Sequence, residues 1–126
     1  MKPLIIYHAN CLDGFGAAYA AYAGLSAQNI EAEYCAASHG DEPPDCKGRD
    51  VYIVDFSYKR NVLKEICVVA KTVTILDHHI TAQDELEGLE QEHANLTVVF
   101  DMDKSGAVLS WEHFHQTAVP RLLLHV

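Results

Sequence analysis

The sequence lacks any long apolar run. Nothing in its 126 residues approaches the ~18–20 consecutive apolar residues that a membrane-crossing helix needs, so no membrane partner is expected. Basic residues are also scarce, with nine Lys and Arg against 18 Asp and Glu, for a formal charge of −9. That balance argues against binding along duplex nucleic acid, which needs a basic footprint. It leaves an anionic substrate open, because carboxylates filled with divalent cations are locally positive toward phosphate. Cysteine is limited to Cys11, Cys35, Cys46 and Cys67, with no CxxC pair and no zinc-finger spacing. The opening MKPLIIYHANCLDG carries one lysine and only a short apolar run, and does not read as a secretory leader. Reduced thiols and a cytoplasmic location are the expectation. There is no GxGxxG, no Walker GK[ST], no internal repeat and no low-complexity tail.

What is present is a chain of one-domain length, 1–126, with 49% hydrophobic and 21% charged residues, ordinary for a globular protein. Three runs, PLIIYH (3–8), VYIVD (51–55) and TVTILD (72–77), are short, continuous and apolar, as buried parallel strands are. EAEYCAA (31–37) is a weaker fourth strand and NLTVVF (95–100) a fifth. Between them, 14–27, 59–70 and 105–117 suit helices. Segment 38–49, with two prolines and two glycines, reads as loop. The acidic stretch 81–94 fits a solvated helix or a loose excursion. This alternation predicts an α/β, Rossmann-like three-layer domain with a mainly parallel sheet of about five strands.

Three of the strand runs end on a residue that ligates metals or moves protons: His8, Asp55 and Asp77. Carboxyl ends of neighbouring parallel strands share one rim, where ligands bind, so the three should meet there. An aspartate after a strand also starts turns and caps helices, and for Asp55 alone capping is the simpler account. The tandem His78 and His79 after Asp77 make a purely structural account harder to sustain. One imidazole can bind metal while the other meets an anion or shuttles a proton. Oxygen donors with some imidazole suit Mn²⁺, Mg²⁺ or Fe²⁺. Asp13 is placed to be either a helix N-cap or a second acidic ligand beside His8. Cys11 reads as a bystander thiol, and Gly14 and Gly16 let a helix begin close against the sheet.

Taken together, HANCLDGFGAAYA, IVDFS, ILDHH and DMDKSGAVLSWEHF, in that order, resemble the DHH phosphoesterase superfamily, in particular its exopolyphosphatase-related phosphohydrolases. Relatives in that superfamily include manganese inorganic pyrophosphatases, single-strand-specific exonucleases, and phosphodiesterases acting on cyclic dinucleotides or very short oligonucleotides. The resemblance implies a two-metal hydrolase, using Mn²⁺ or Mg²⁺, that attacks a phosphodiester or phosphoanhydride in line. By that resemblance His8 and Asp13 bind one ion, Asp55 bridges or ligates both, and Asp77 and His78 are ligands. His79 then faces the phosphate and, with Asp55, carries catalysis. Ser105 and Gly106, at a helix N-terminus, would contact phosphate, although a simple N-cap with Trp111 in the core accounts for the same residues.

Two departures stand out. Many relatives have a second aspartate, as D-x-D, where this chain has Phe15, and His8 is spaced differently from Asp13. The second ion would then be weaker or held by another residue such as Cys11. The chain also stops at RLLLHV, before the family's remaining core aspartate and substrate-binding domain. The expectation is a truncated catalytic half with an apolar strip, Leu122, Leu123 and Leu124, through which copies pair. The substrate would be a phosphorylated small molecule, a short oligonucleotide, a cyclic dinucleotide or polyphosphate. Two rival readings remain: a DHH module that binds metal or nucleotide without turnover, and, less in keeping with the histidines, a receiver domain phosphorylated on Asp55.

Overall fold

The computed structural model describes residues 1–115 and 120–124, without the side chains of 121 and 122. Its centre is a five-stranded, all-parallel sheet: β1 (Leu4–His8), β2 (Glu33–Ala37), β3 (Asp50–Val54), β4 (Thr72–Asp77) and β5 (Leu96–Phe100). The strand order is β2-β1-β3-β4-β5. The chain therefore leaves β1 toward one edge and β3 toward the other. The switch between β1 and β3 opens a crevice at their carboxyl ends, the usual ligand position of a doubly wound sheet.

Alternating strand residues feed two faces. Leu4, Ile6, Val51, Ile53, Val73 and Ile75 point one way, toward α2 (Arg60–Val69), α3 (Ile80–Leu86) and α4 (Leu89–Glu92). Ile5, Val54 and Leu76 point the other way, toward α1 (Leu12–Ala27) and Phe114 of α5 (Gly106–Phe114). Each such aliphatic side chain, once fully buried, contributes roughly 1.5–3 kcal/mol, and both layers are fixed by the same period of two. The three-layer α/β expectation holds, and the sheet is parallel throughout.

Helix α1 lies close to the sheet because its inward residues are small: Gly14, Ala17 and Ala21 are all buried. A Cβ on Gly14 would collide with the carbonyl of His8, so glycine lets the first turn sit against the end of β1. Along its other side, Ala20 packs with Ala107 and Trp111 of α5, and Gly24 abuts Phe114.

Segment 38–49 crosses from β2 to β3 without a helix and places Cys46 in the core. The acidic stretch 81–94 is neither one helix nor a loose excursion. Gly88, at φ 81°, breaks it into α3 and α4, which bury Ala82, Leu86 and Leu89. The expected helix 105–117 ends at Phe114, and positions 116 and 117 lie outside the described residues.

The apolar strip near the C-terminus needs correcting. The short α6 (Arg121–Leu124) buries Leu123 against Ala20, Ala107 and Trp111, and Leu124 is exposed. The side chain of Leu122 lies outside the described ones. Leu123 and Leu124 thus divide between core and solvent, so Leu123 is not part of an exposed strip.

Candidate metal centre

Each acidic residue of the rim is held by a specific backbone device. Asp55 follows β3 in the left-handed region (φ 53°), with its N–H donating to Leu76 O at 2.9 Å. Such a conformation is uncommon for a residue with a Cβ, and it concentrates at functional sites. It turns the Asp55 side chain inward, 1% exposed. Asp55 caps no helix, since Lys59 is the N-cap of α2, and the capping account falls away.

Asp13 is not the N-cap of its own helix either, a position taken by Cys11. Its carboxylate instead caps α5: Gly106 N donates to Oδ2 at 2.9 Å and Ala107 N to Oδ1 at 2.8 Å. The Asp13 carboxylate thereby sits at the positive end of the α5 dipole. The Ser105 hydroxyl accepts from Val108 N at 3.1 Å and completes the cap. Ser105 and Gly106 thus have a different role from the expected phosphate contact. Gly106 N and Ala107 N are engaged by the Asp13 carboxylate and Val108 N by the Ser105 hydroxyl, so these three donors are already occupied within the chain.

The histidines divide. His78 Nε2 lies 2.7 Å from Asp55 Oδ1 and 3.2 Å from Asp13 Oδ2, between the two carboxylates. His79 Nδ1 lies 2.6 Å from Asp77 Oδ1, which also accepts from His78 N at 2.8 Å. With Nδ1 donating to a carboxylate, the neutral tautomer of His79 leaves Nε2 as its free lone pair. Asp77 is 1% exposed and its second oxygen, Oδ2, is buried without a partner. His8 Nδ1 is likewise buried and unbonded, 3.9 Å from Asp55 Oδ2.

Three carboxylates therefore meet at one rim, and among the described residues only histidines pair with them; no lysine or arginine does. Buried carboxylates without a cation are costly. The result is legible in Asp55, whose pKa is pushed up to about 8, first by burial and then by the neighbouring charge of Asp13. His8 is pushed below its ordinary value by burial, then by His39 and His79. Both shifts describe a site short of positive charge at Asp55, where burial also disfavours protonating His8.

The donor atoms fall into two groups that could each hold an ion, Asp55–Asp77–His78–His79 and His8–Cys11–Asp55, with the atoms of each group within 4.8 Å of one another. Asp55 belongs to both. The unpartnered Asp77 Oδ2 and His8 Nδ1, the buried oxygen donors and the imidazoles fit hard or borderline divalent cations. Of the expected ligands, His8, Asp55, Asp77 and His78 all reach these groups, and Asp13 adjoins them through His78.

Other residues at the rim escape a sequence reading. His39, in the loop after β2, stacks on Phe56 with centroids 5.0 Å apart and lies 5.7 Å from the ring of His8. A cavity of about 240 Å³ opens beside His79 and is lined by His39, Ser57, Lys59, Asp77 and Thr81. Lys59 makes no ion pair among the described residues. The one available signal for His39 was topological: β2 runs parallel to β1, so its carboxyl end reaches the same rim.

No protein-family model matches the chain. The chain is similar to an uncharacterized protein of Acanthamoeba polyphaga mimivirus, 30% identical over 145 residues that take in 98% of this chain and 32% of the viral one. The chain thus spans about a third of the length of that curated relative.

Proposed function

We propose that this chain is the metal-binding domain of a phosphoesterase of the DHH type, hydrolysing a phosphodiester or phosphoanhydride in a phosphorylated small molecule or short oligonucleotide. The observation that carries the reading is Asp55: a buried carboxylate common to two groups of ligand atoms, next to an aspartate–histidine–histidine run. Asp55 would serve two ions, with His8 on one side and Asp77 and His78 on the other. Bound Mn²⁺ or Mg²⁺ would neutralise phosphoryl oxygens and lower the pKa of water for in-line attack.

The remaining work falls to side chains. With Asp77 holding His79 through Nδ1, His79 Nε2 would take up a proton at the rim and, once protonated, donate to a phosphoryl oxygen. Asp13, braced by α5, keeps His78 directed at Asp55. The cavity beside His79 would take the part of the substrate beyond the scissile phosphate, with Lys59 and His39 as its cationic and aromatic walls.

The test is calorimetric titration of Mn²⁺ together with an assay on an aryl phosphodiester, for the wild type and Asp55→Asn. Two bound equivalents and turnover, both lost in the variant, support the reading. Metal binding without turnover on any phosphoester would favour a binding module instead. Absence of binding at millimolar Mn²⁺ would remove the site altogether.

A further inference from the structure

One donor in the His8–Cys11–Asp55 group is a sulfur that the reading above leaves unused. Cys11 sits half-buried at the N-cap of α1, where its side chain makes no capping hydrogen bond. The thiol points instead at Asp55 Oδ2, 3.7 Å away. His8 Nδ1 faces the same oxygen at 3.9 Å and has no hydrogen bond. Nitrogen, sulfur and oxygen donors thus converge on one point, and the oxygen comes from a side chain 1% exposed. The unpartnered His8 Nδ1 is the observation that points to a cation at this point, and Asp77, equally buried, leaves Oδ2 without a partner in the adjoining group that shares Asp55. Buried polar atoms without partners call for an ion or water.

Spacing agrees with position. Phe15, two residues after Asp13, is 67% exposed and supplies no donor. Cys11 lies two residues before Asp13, and both turn toward Asp55: Cys11 to its Oδ2, Asp13 to His78, which contacts its Oδ1. Cys11 and Asp13 thus both reach the surroundings of the Asp55 carboxylate from the start of α1, whereas Phe15 does not.

We propose that Cys11 is a metal ligand, and that with His8 and Asp55 it forms a thiolate-containing site for a softer ion (Zn²⁺, Co²⁺ or Fe²⁺) than the ion held by Asp77 and His78. This rests on the two-metal reading and assigns the ligand set and metal class of one half of it. Thiolate donors select zinc-like ions over Mn²⁺ and Mg²⁺. The thiol proton leaves to solvent as the ion binds, so uptake releases a proton. Cys46 and Cys67 do not compete: burial raises both, Cys46 to about 11, and each lies in the apolar core.

Cobalt titration followed by absorption tests this, because a thiolate on Co²⁺ adds a charge-transfer band in the near ultraviolet to the ordinary ligand-field bands. The wild type should bind two equivalents, one of them with the band. Cys11→Ser should lose the band and weaken that equivalent by roughly 10–100-fold, the scale on which perturbed sites lose metal, while keeping the other. Cys11→Asp should lose the band and move that site's preference from Zn²⁺ toward Mn²⁺. Zn²⁺ should also protect Cys11 of the wild type from alkylation, a readout that needs no variant. Two equivalents bound without the band, and unchanged in Cys11→Ser, would overturn the proposal and leave the two-metal reading standing. If no divalent ion binds, both fall together.

Discussion

Gly106 stands so close to the carboxylate of Asp55 that no Cβ fits between them. The same residue donates its N–H to Asp13 at 2.9 Å, so one backbone position presses α5 against two acidic residues from two other elements. Gly106→Ala should displace either α5 or Asp55. An overpacking cost of about 1–3 kcal/mol is expected, together with weaker Mn²⁺ binding. Urea unfolding and calorimetric titration on the same variant measure the two effects, and wild-type values for both would show that the contact relaxes freely.

The raised pKa of Asp55 gives the metal-free protein a definite pH dependence. Between the ordinary value of 3.8 and about 8, folded Asp55 holds a proton that the unfolded chain has released. The native state binds more protons there, so this contribution to stability falls as pH rises through the window and is gone above about 8. His8 has the opposite sign. Its pKa is lowered from 6.5, so below that value the unfolded chain binds more protons and stability rises with pH. The clean interval is therefore pH 6.5 to 8, where Asp55 acts without His8. Urea melts of the metal-free protein should show stability declining across it, and Asp55→Asn should flatten the slope. Mn²⁺ affinity should climb over the same interval, because the ion must displace that proton.

His78 and His79 should separate experimentally. His78 Nε2 lies between Asp55 and Asp13, whereas His79 is held outward by Asp77. His78→Ala should weaken metal binding, and His79→Ala should leave it nearly intact while slowing turnover by ~10²–10⁴-fold, the usual worth of a positioned acid or base. Asp77→Asn should impair both, since Asp77 orients one histidine and leaves a free oxygen toward the other donors. Equal, large losses of metal affinity in the two histidine variants would contradict the division.

Strand ends were the legible part of this protein. Continuous apolar runs place His8, Asp55 and Asp77 at strand ends on one edge, because such runs mark buried parallel strands. Asp13 was less legible. Its position in α1 suggests a local cap, yet its partners are Gly106 and Ala107, 93 and 94 residues away, and no local pattern encodes such a contact. The same contact explains Ser105 and Gly106: a small-residue turn before a helix looks alike whether its N–H groups face a phosphate or a carboxylate of the same chain. His39 was missed because a loop rich in proline and glycine carries no periodicity to place it. Leu123 was misjudged because a hydrophobic C-terminal run says nothing about which surface receives it.

Lys59 and His39 are residues that sequence patterns do not single out. Both line the cavity beside His79, and neither belongs to a ligand group. Lys59 is exposed, caps α2 through its backbone only, and has no carboxylate partner among the described residues. A lone ammonium beside an acidic rim is placed to meet an anionic substrate rather than to stabilise the fold. His39, stacked on Phe56, lines the same cavity. Lys59→Ala should therefore leave stability within about 0.5 kcal/mol and leave Mn²⁺ affinity unchanged, while raising KM for substrates with a second phosphate. His39→Ala should raise KM for substrates carrying a nucleobase and spare those without one. Steady-state kinetics on a dinucleotide, pyrophosphate and an aryl phosphodiester separate the two effects. If KM for all three stays at the wild-type value in both variants, the substrate enters by another route and the cavity is incidental.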